Sequence, residues 1–200
     1  MKKYYIISVM LLLFSCDTWY DEIDKTVFIP DEKDENLPKY TEWGYNSFGT
    51  VYERMYFYAS SDIVPCKAIY QNGKLRISIS GRLGLSRNSG NERLILSFSF
   101  PIDEPMRDYW DLMALHQKKI DLSDSSCEVA VSKNSETEVV FVQSGQLSFN
   151  RAQLVRIDEK ESHVILSGTF DMVFWRNMIP ETMSNGRFDF GISNLFFYPD

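Results

Sequence analysis

The stretch Val164-Ile-Leu-Ser-Gly-Thr-Phe-Asp-Met-Val-Phe-Trp175, followed after a short connection by Asn185-Gly-Arg-Phe-Asp-Phe-Gly-Ile192, decides the fold class. Val164, Leu166, Phe170, Met172 and Phe174 recur on one face. Phe188, Phe190 and Ile192 do the same in the second run. A period of two is the signature of a half-buried antiparallel strand. The spacing therefore predicts a hairpin over Val164–Leu195 that delivers aromatic rings to a core, with its polar loop ending at Asn185-Gly186.

Upstream, the same signal repeats. Thr50–Ala59 alternates, with Val51, Met55, Phe57 and Ala59 on one side and Tyr52, Arg54, Tyr56 and Tyr58 on the other. Ile63–Tyr70 and Lys74–Ser80 flank Gln71-Asn72-Gly73, and Asn-Gly between alternating runs is a strong hairpin signal. Gly81–Glu92 is loop-like, and Arg93–Phe100 is another strand. Short strands follow at Lys119–Leu122, Cys127–Lys133, Glu138–Gln143 and Gln146–Arg151, before a charged connection over Ala152–Ser162. Val139-Val140-Phe141-Val142 is apolar on both faces, which predicts a strand covered on both sides. One helix is expected at Asp103–Lys118, with Asp103 as its cap and Pro105 in its first turn. Nine or ten strands with one short helix predict an all-β antiparallel sandwich, with a lipocalin-like closed barrel as the alternative.

The chain opens Met1-Lys2-Lys3, continues with an apolar run from Tyr4 to Phe14, and reaches Ser15-Cys16. A basic start, a short apolar core and a small residue describe a secretory leader. The run is too short for a bilayer-spanning helix. Leu13-Phe14-Ser15-Cys16 resembles a bacterial lipobox of the permissive kind found in Bacteroidetes, with Phe14 where a small residue is usual. That resemblance implies cleavage before Cys16, a lipid on Cys16 and an outer-membrane address in the cell envelope. Residues 1–15 are thus expected as a signal peptide, 16–38 as the lipidated Cys and a tether, and 39–200 as the domain.

The net formal charge is −7, and the acids cluster. Asp17–Pro38 holds eight of them against Lys25 and Lys33, a composition that favours a solvated tether. Within it Val27-Phe28-Ile29 has strand character. No basic patch is present, which argues against nucleic acid as a partner.

Ser144-Gly145-Gln146-Leu147-Ser148-Phe149, Leu166-Ser167-Gly168-Thr169-Phe170-Asp171 and Asn185-Gly186-Arg187-Phe188-Asp189-Phe190 together resemble the ending of a group of small lipoproteins of gut Bacteroidetes. The resemblance implies the fold and the address and carries no activity.

Candidate chemistry is sparse. His116 and His163 lack partners at metal-ligand spacing, and no nucleophile, phosphate-loop or calcium-loop motif occurs. No catalytic residue, metal or cofactor is therefore assigned. Asp171 and Asp189 both lie on outward phases of the long hairpin, where a near-symmetric pairing places them as diagonal neighbours and makes them a candidate acid–base pair. Cys66 and Cys127 are candidates for a disulfide outside the cytoplasm. Trp43, Tyr45, Tyr52, Tyr56, Tyr58 and Trp175 are candidates for an exposed aromatic surface that stacks on sugars or docks a protein. The expected function is a lipid-anchored, non-catalytic module that binds a glycan or another envelope protein. A carboxylate-dependent glycoside hydrolase and a carrier of small apolar ligands are the alternatives.

Overall fold

The computed structural model describes residues 26–61, 65–157 and 161–199; Cys16 and the leader lie outside them. The strands are β1 (Ser47–Tyr52), β2 (Met55–Tyr58), β3 (Cys66–Gln71), β4 (Lys74–Gly84), β5 (Glu92–Pro101), β6 (Lys119–Asp121), β7 (Glu128–Lys133), β8 (Glu136–Ile157), β9 (Glu161–Arg176), β10 (Ile179–Ile192) and β11 (Phe197–Tyr198).

Eight of these strands close into an antiparallel barrel in the order β4-β2-β1-β10-β9-β8-β7-β5 and back to β4. The fold is all-β as expected, but it is a barrel and not a sandwich. Alternation could not separate the two, because both bury one face of every strand. Closure depends on β4. One edge of β4 pairs with β5 along its length, and the other edge serves β3 through Lys74–Ile79 and β2 through Arg82–Gly84. Strand β8 is the other closing device. Its irregularities at Val142/Ser144 and Phe149/Arg151 coil one 22-residue strand past β7, β6 and β9, as bulges do. It absorbs the two expected strands at Glu138–Arg151 and most of the charged connection after them.

Alternating side chains fill the barrel interior. Phe48 meets Phe57 at 4.8 Å, Phe98 meets Phe170 at 5.3 Å, and Phe149 meets Phe188 at 5.8 Å, all edge to face. Each such pair adds about 1 kcal/mol beyond the area it buries. Gly168 lies opposite Phe188 in the β9–β10 ladder. A Cβ on Gly168 would sit 2.0 Å from the Ser148 carbonyl oxygen and 2.6 Å from that ring, so glycine here makes room for the β8 backbone and for the phenylalanine.

The long hairpin forms, but it turns elsewhere. Asn177-Met178, both with positive φ, make the turn, and Asn185-Gly186 falls in a bulge of β10. The stretch read as one strand over Thr50–Ala59 is itself a hairpin, broken at Glu53 and Arg54 with Glu53 at φ 55°. Asn72-Gly73 turns as the sequence predicts. The expected helix shortens to one 3-10 segment, Tyr109–Leu115, capped by Asp108 and not by Asp103. Asp111 completes that cap by accepting from the Arg107 and Asp108 amides at 2.7 and 3.0 Å.

The described half of the acidic segment is no free tether. Residues 26–38 run along the outside of β1 as a strap that doubles back at a Pro30–Pro38 bridge. Leu37 is buried beneath it. The Val27 amide donates to the Tyr45 carbonyl, and the Lys39 amide donates to the Ile29 carbonyl. Arg187 donates to Asp31 at 2.7 Å, and Arg87 lies 3.7 Å from the Phe28 ring. A Cβ on Gly49 would reach Pro38 at 2.4 Å, so the strap needs glycine beneath it.

Candidate functional site

The expected aromatic surface divides. Tyr52 points into the barrel and Tyr58 is covered by the loop after β4. The turn at Glu53 and Arg54 puts them on opposite faces, so no tyrosine strip exists. Tyr56 and Tyr45 are half-buried, Tyr56 against the strap beside Asp34. Trp43 and Trp175 are exposed. Trp43 sits level with Asp189 and therefore with Ser167, eight residues of β9 from Trp175, which is about 26 Å. They belong to different sites.

Asp171 and Asp189 are not a pair either. Asp189 is opposite Ser167, four residues or about 13 Å along the strand from Asp171. That exceeds the span of about 5–9.5 Å that glycosidase carboxylates occupy. Asp189 is a buried clasp. It accepts from Thr41 Oγ1 at 2.6 Å, from the Trp43 and Gly44 amides at 3.0 and 2.8 Å, and from Ser167 Oγ at 2.9 Å. It pins Thr41–Tyr45 to the barrel, and Asp171 is solvated.

Cys66 and Cys127 are free thiols. They flank the β3-β4-β5-β7 path, three inter-strand steps of about 4.8 Å, beyond the reach of about 7 Å between Cα atoms that a disulfide allows. Burial pushes both thiols up, Cys66 the further, so neither is an activated nucleophile. His116 Nδ1 accepts the Ala152 amide at 3.2 Å, and His163 is buried on β9. Among the described residues no group of three His, Cys, Asp or Glu side chains could hold a metal ion.

What the structure brings together instead is the outer wall at the hairpin end. Phe141 of β8 pairs with Trp175 of β9, and Trp175 pairs with Pro180 of β10. These three form one row across three strands. Phe141 is 70% exposed and Trp175 40% exposed, with Val139 exposed beside them. Met178 and Ile179 extend the patch to the tip, where Met178 is 91% exposed. Every outward residue of Thr137–Gln143, Val173–Trp175 and Pro180–Thr182 is uncharged, although 24% of the chain is charged. Trp175 Nε1 donates to Gln143 Oε1 at 3.2 Å, which steadies the indole on the wall.

Inward residues of the same strand ends close the barrel mouth with charge. The Tyr52 hydroxyl donates to Glu181, and Arg176 Nε donates to Glu138 Oε2 at 3.1 Å. Burial first, and the Glu181 carboxylate second, push the Tyr52 phenol up. The mouth network holds the three strand ends, and with them the apolar row, in fixed register.

Trp175 was visible in the sequence as an outward residue. Phe141 and Val139 were not, because apolar alternation on both faces of β8 predicts cover on both. The cover is present inside and missing outside. No protein-family model, curated protein or solved structure matches this chain.

Proposed function

We propose that this protein is a lipid-anchored binding module of the cell envelope, held by Cys16, that docks a partner protein on the wall formed by β8, β9 and β10. The observation that carries the reading is the uncovered row Phe141–Trp175–Pro180 with Met178 and Ile179 at its tip. Contiguous exposed apolar surface of this kind marks an interaction site.

Three physical arguments select a protein as the occupant. The wall is the convex outside of a barrel, whereas small ligands and sugars take concave sites. The wall carries no Lys or Arg to draw it to anionic lipid headgroups. Met178 has φ 62° at a turn position where glycine is free of strain, so an exposed Met is held there at the expense of stability. The aromatic interior argues against a carrier of apolar ligands, and the separated carboxylates argue against a glycosidase.

The test places a photo-crosslinking residue at Phe141 of the full chain in its native envelope, with the same probe at Arg93 on β5 as control. A discrete protein adduct at position 141, lost when Trp175→Ser is added to the probe-bearing chain and absent at position 93, is the expected result. Met178→Gly should stabilise the fold by about 1 kcal/mol while weakening the adduct. Specific retention on a glycan array that depends on Phe141 and Trp175 would replace the protein reading with a glycan one. A Cys16→Ser variant that stays in the membrane fraction would overturn the anchor.

A further inference from the structure

The opposite end of the barrel carries a cavity that the docking wall does not use. It opens between the end of β5 and the 3-10 segment, with a volume of about 400 Å³, within the usual range for small-molecule sites. Its apolar lining is Ile102, Pro105, Met106, Trp110, Met113 and Ala114. Trp110 remains 46% exposed although its ring lies 5.4 Å from that of Tyr109. Met106 is buried against the core and forms the floor.

The charged groups facing this cavity are Asp103, Glu104, Asp111 and Lys118, three carboxylates against one ammonium. Lys118 Nζ stands 3.8 Å from Asp103 Oδ2, with Asp103 almost fully exposed, so the lysine offsets one acid weakly. Asp111 Oδ2 is occupied by the two backbone amides of the helix cap. Glu104 is exposed at the rim.

An indole beside carboxylates in an apolar pocket is the arrangement that recognises an organic cation. The ring face attracts the cation through its quadrupole, the acids add Coulomb attraction, and the thioethers and prolyl ring take the apolar body. We propose that this cavity binds a small organic ammonium ion with an apolar body, its charge between Trp110 and the Asp103–Glu104 rim. An anion of the same shape meets net negative charge and is rejected. A neutral analogue keeps the apolar contacts and loses the charge terms.

The experiment titrates the chain with 2-phenylethylammonium, 2-phenylethanol and phenylacetate, following amide and indole resonances by NMR. The expected result is saturable shifts at Trp110, Met113 and Ala114 with the ammonium, about fivefold weaker binding of the alcohol, and none with phenylacetate. Ammonium affinity should fall as salt is raised. D103N/E104Q changes two exposed rim residues and should erase the preference for ammonium over alcohol with the fold intact by circular dichroism. Trp110→Leu should weaken the ammonium several-fold and leave the alcohol less affected. Equal affinity for ammonium and alcohol, or a preference unchanged in D103N/E104Q, would overturn the proposal. The site lies at the other end of the barrel from Phe141 and Trp175, so F141S/W175S should leave this titration unchanged.

Discussion

A carboxylate on the outward phase of a strand reads as a surface charge, and Asp189 shows how that reading fails. Neither β9 nor β10 covers it; the segment Thr41–Tyr45, 144–148 residues away in the chain, packs over it. The Ser-Gly-Thr-Phe and Arg-Phe-Asp-Phe motifs then have one structural account. Ser167 and Asp189 meet on the outside, and Gly168 and Phe188 meet on the inside. Removing the carboxylate would leave buried amides and two hydroxyls without their acceptor, and hydrogen bonds to a charged acceptor contribute roughly 1.5–3 kcal/mol each. Asp189→Ala should therefore cost about 3 kcal/mol in urea unfolding and loosen Trp43 and Gly44 in amide exchange. A variant as stable as the parent would show that the clasp holds nothing.

At the scale of elements, the strap is the part whose behaviour the sequence misjudged. Eight acids among 22 residues read as a self-repelling tether, yet Leu37 is buried, Arg87 lies over the Phe28 ring and Arg187 supplies a counter-charge. The Lys33 amide first, and the Arg187 guanidinium with it, hold the Asp31 carboxyl below its ordinary value of 3.8, against the opposing effect of desolvation. A depressed carboxylate contributes stability that is complete above its unfolded pKa and is lost as pH falls through its folded one. Protection of the Lys39 amide, corrected for intrinsic exchange, should thus be flat from neutral pH down to about 5 and decline below 3.8. Asp31→Asn should lower the neutral plateau and remove the acid decline. Protection in the parent that persists well below 3.8 would mean that apolar contacts alone hold the strap. Asn72-Gly73 was legible because a two-residue turn is local chemistry. The turn at Glu53 and Arg54 was not, because it has no Gly, Pro or Asn, and missing it placed Tyr52 and Tyr58 on one face.

For the whole molecule, strand content was legible and closure was not. Alternation names the inward residues of β4, β5, β9 and β10 almost one by one, since burial of one face is all it encodes. Whether the sheet splits into two layers or rolls shut depends on β4 and β2 finding each other, a pairing with no local signature. The exposed apolar wall was hidden for the same reason: the composition of β8 says that it is apolar on both sides, and only topology says which side has no neighbour. The ring is also uneven. The β2–β4 seam rests on three residue pairs, against twelve between β9 and β10 and fifteen between β8 and β9. Local opening follows the sparsest bonding, so amides of Tyr58 and Arg82, paired across the seam, should exchange through a sub-global opening while those of Leu166 and Phe170 wait for global unfolding. Phe57→Ala should cost about 3–5 kcal/mol and lower seam protection further, because it removes the ring that packs on Phe48 at 4.8 Å. The wall carrying Phe141, Trp175 and Met178 would keep its register in that variant, since the β8–β9 and β9–β10 ladders do not cross the seam. Exchange at Tyr58 and Arg82 as slow as at Leu166 would instead make the barrel one cooperative unit, with no weak seam.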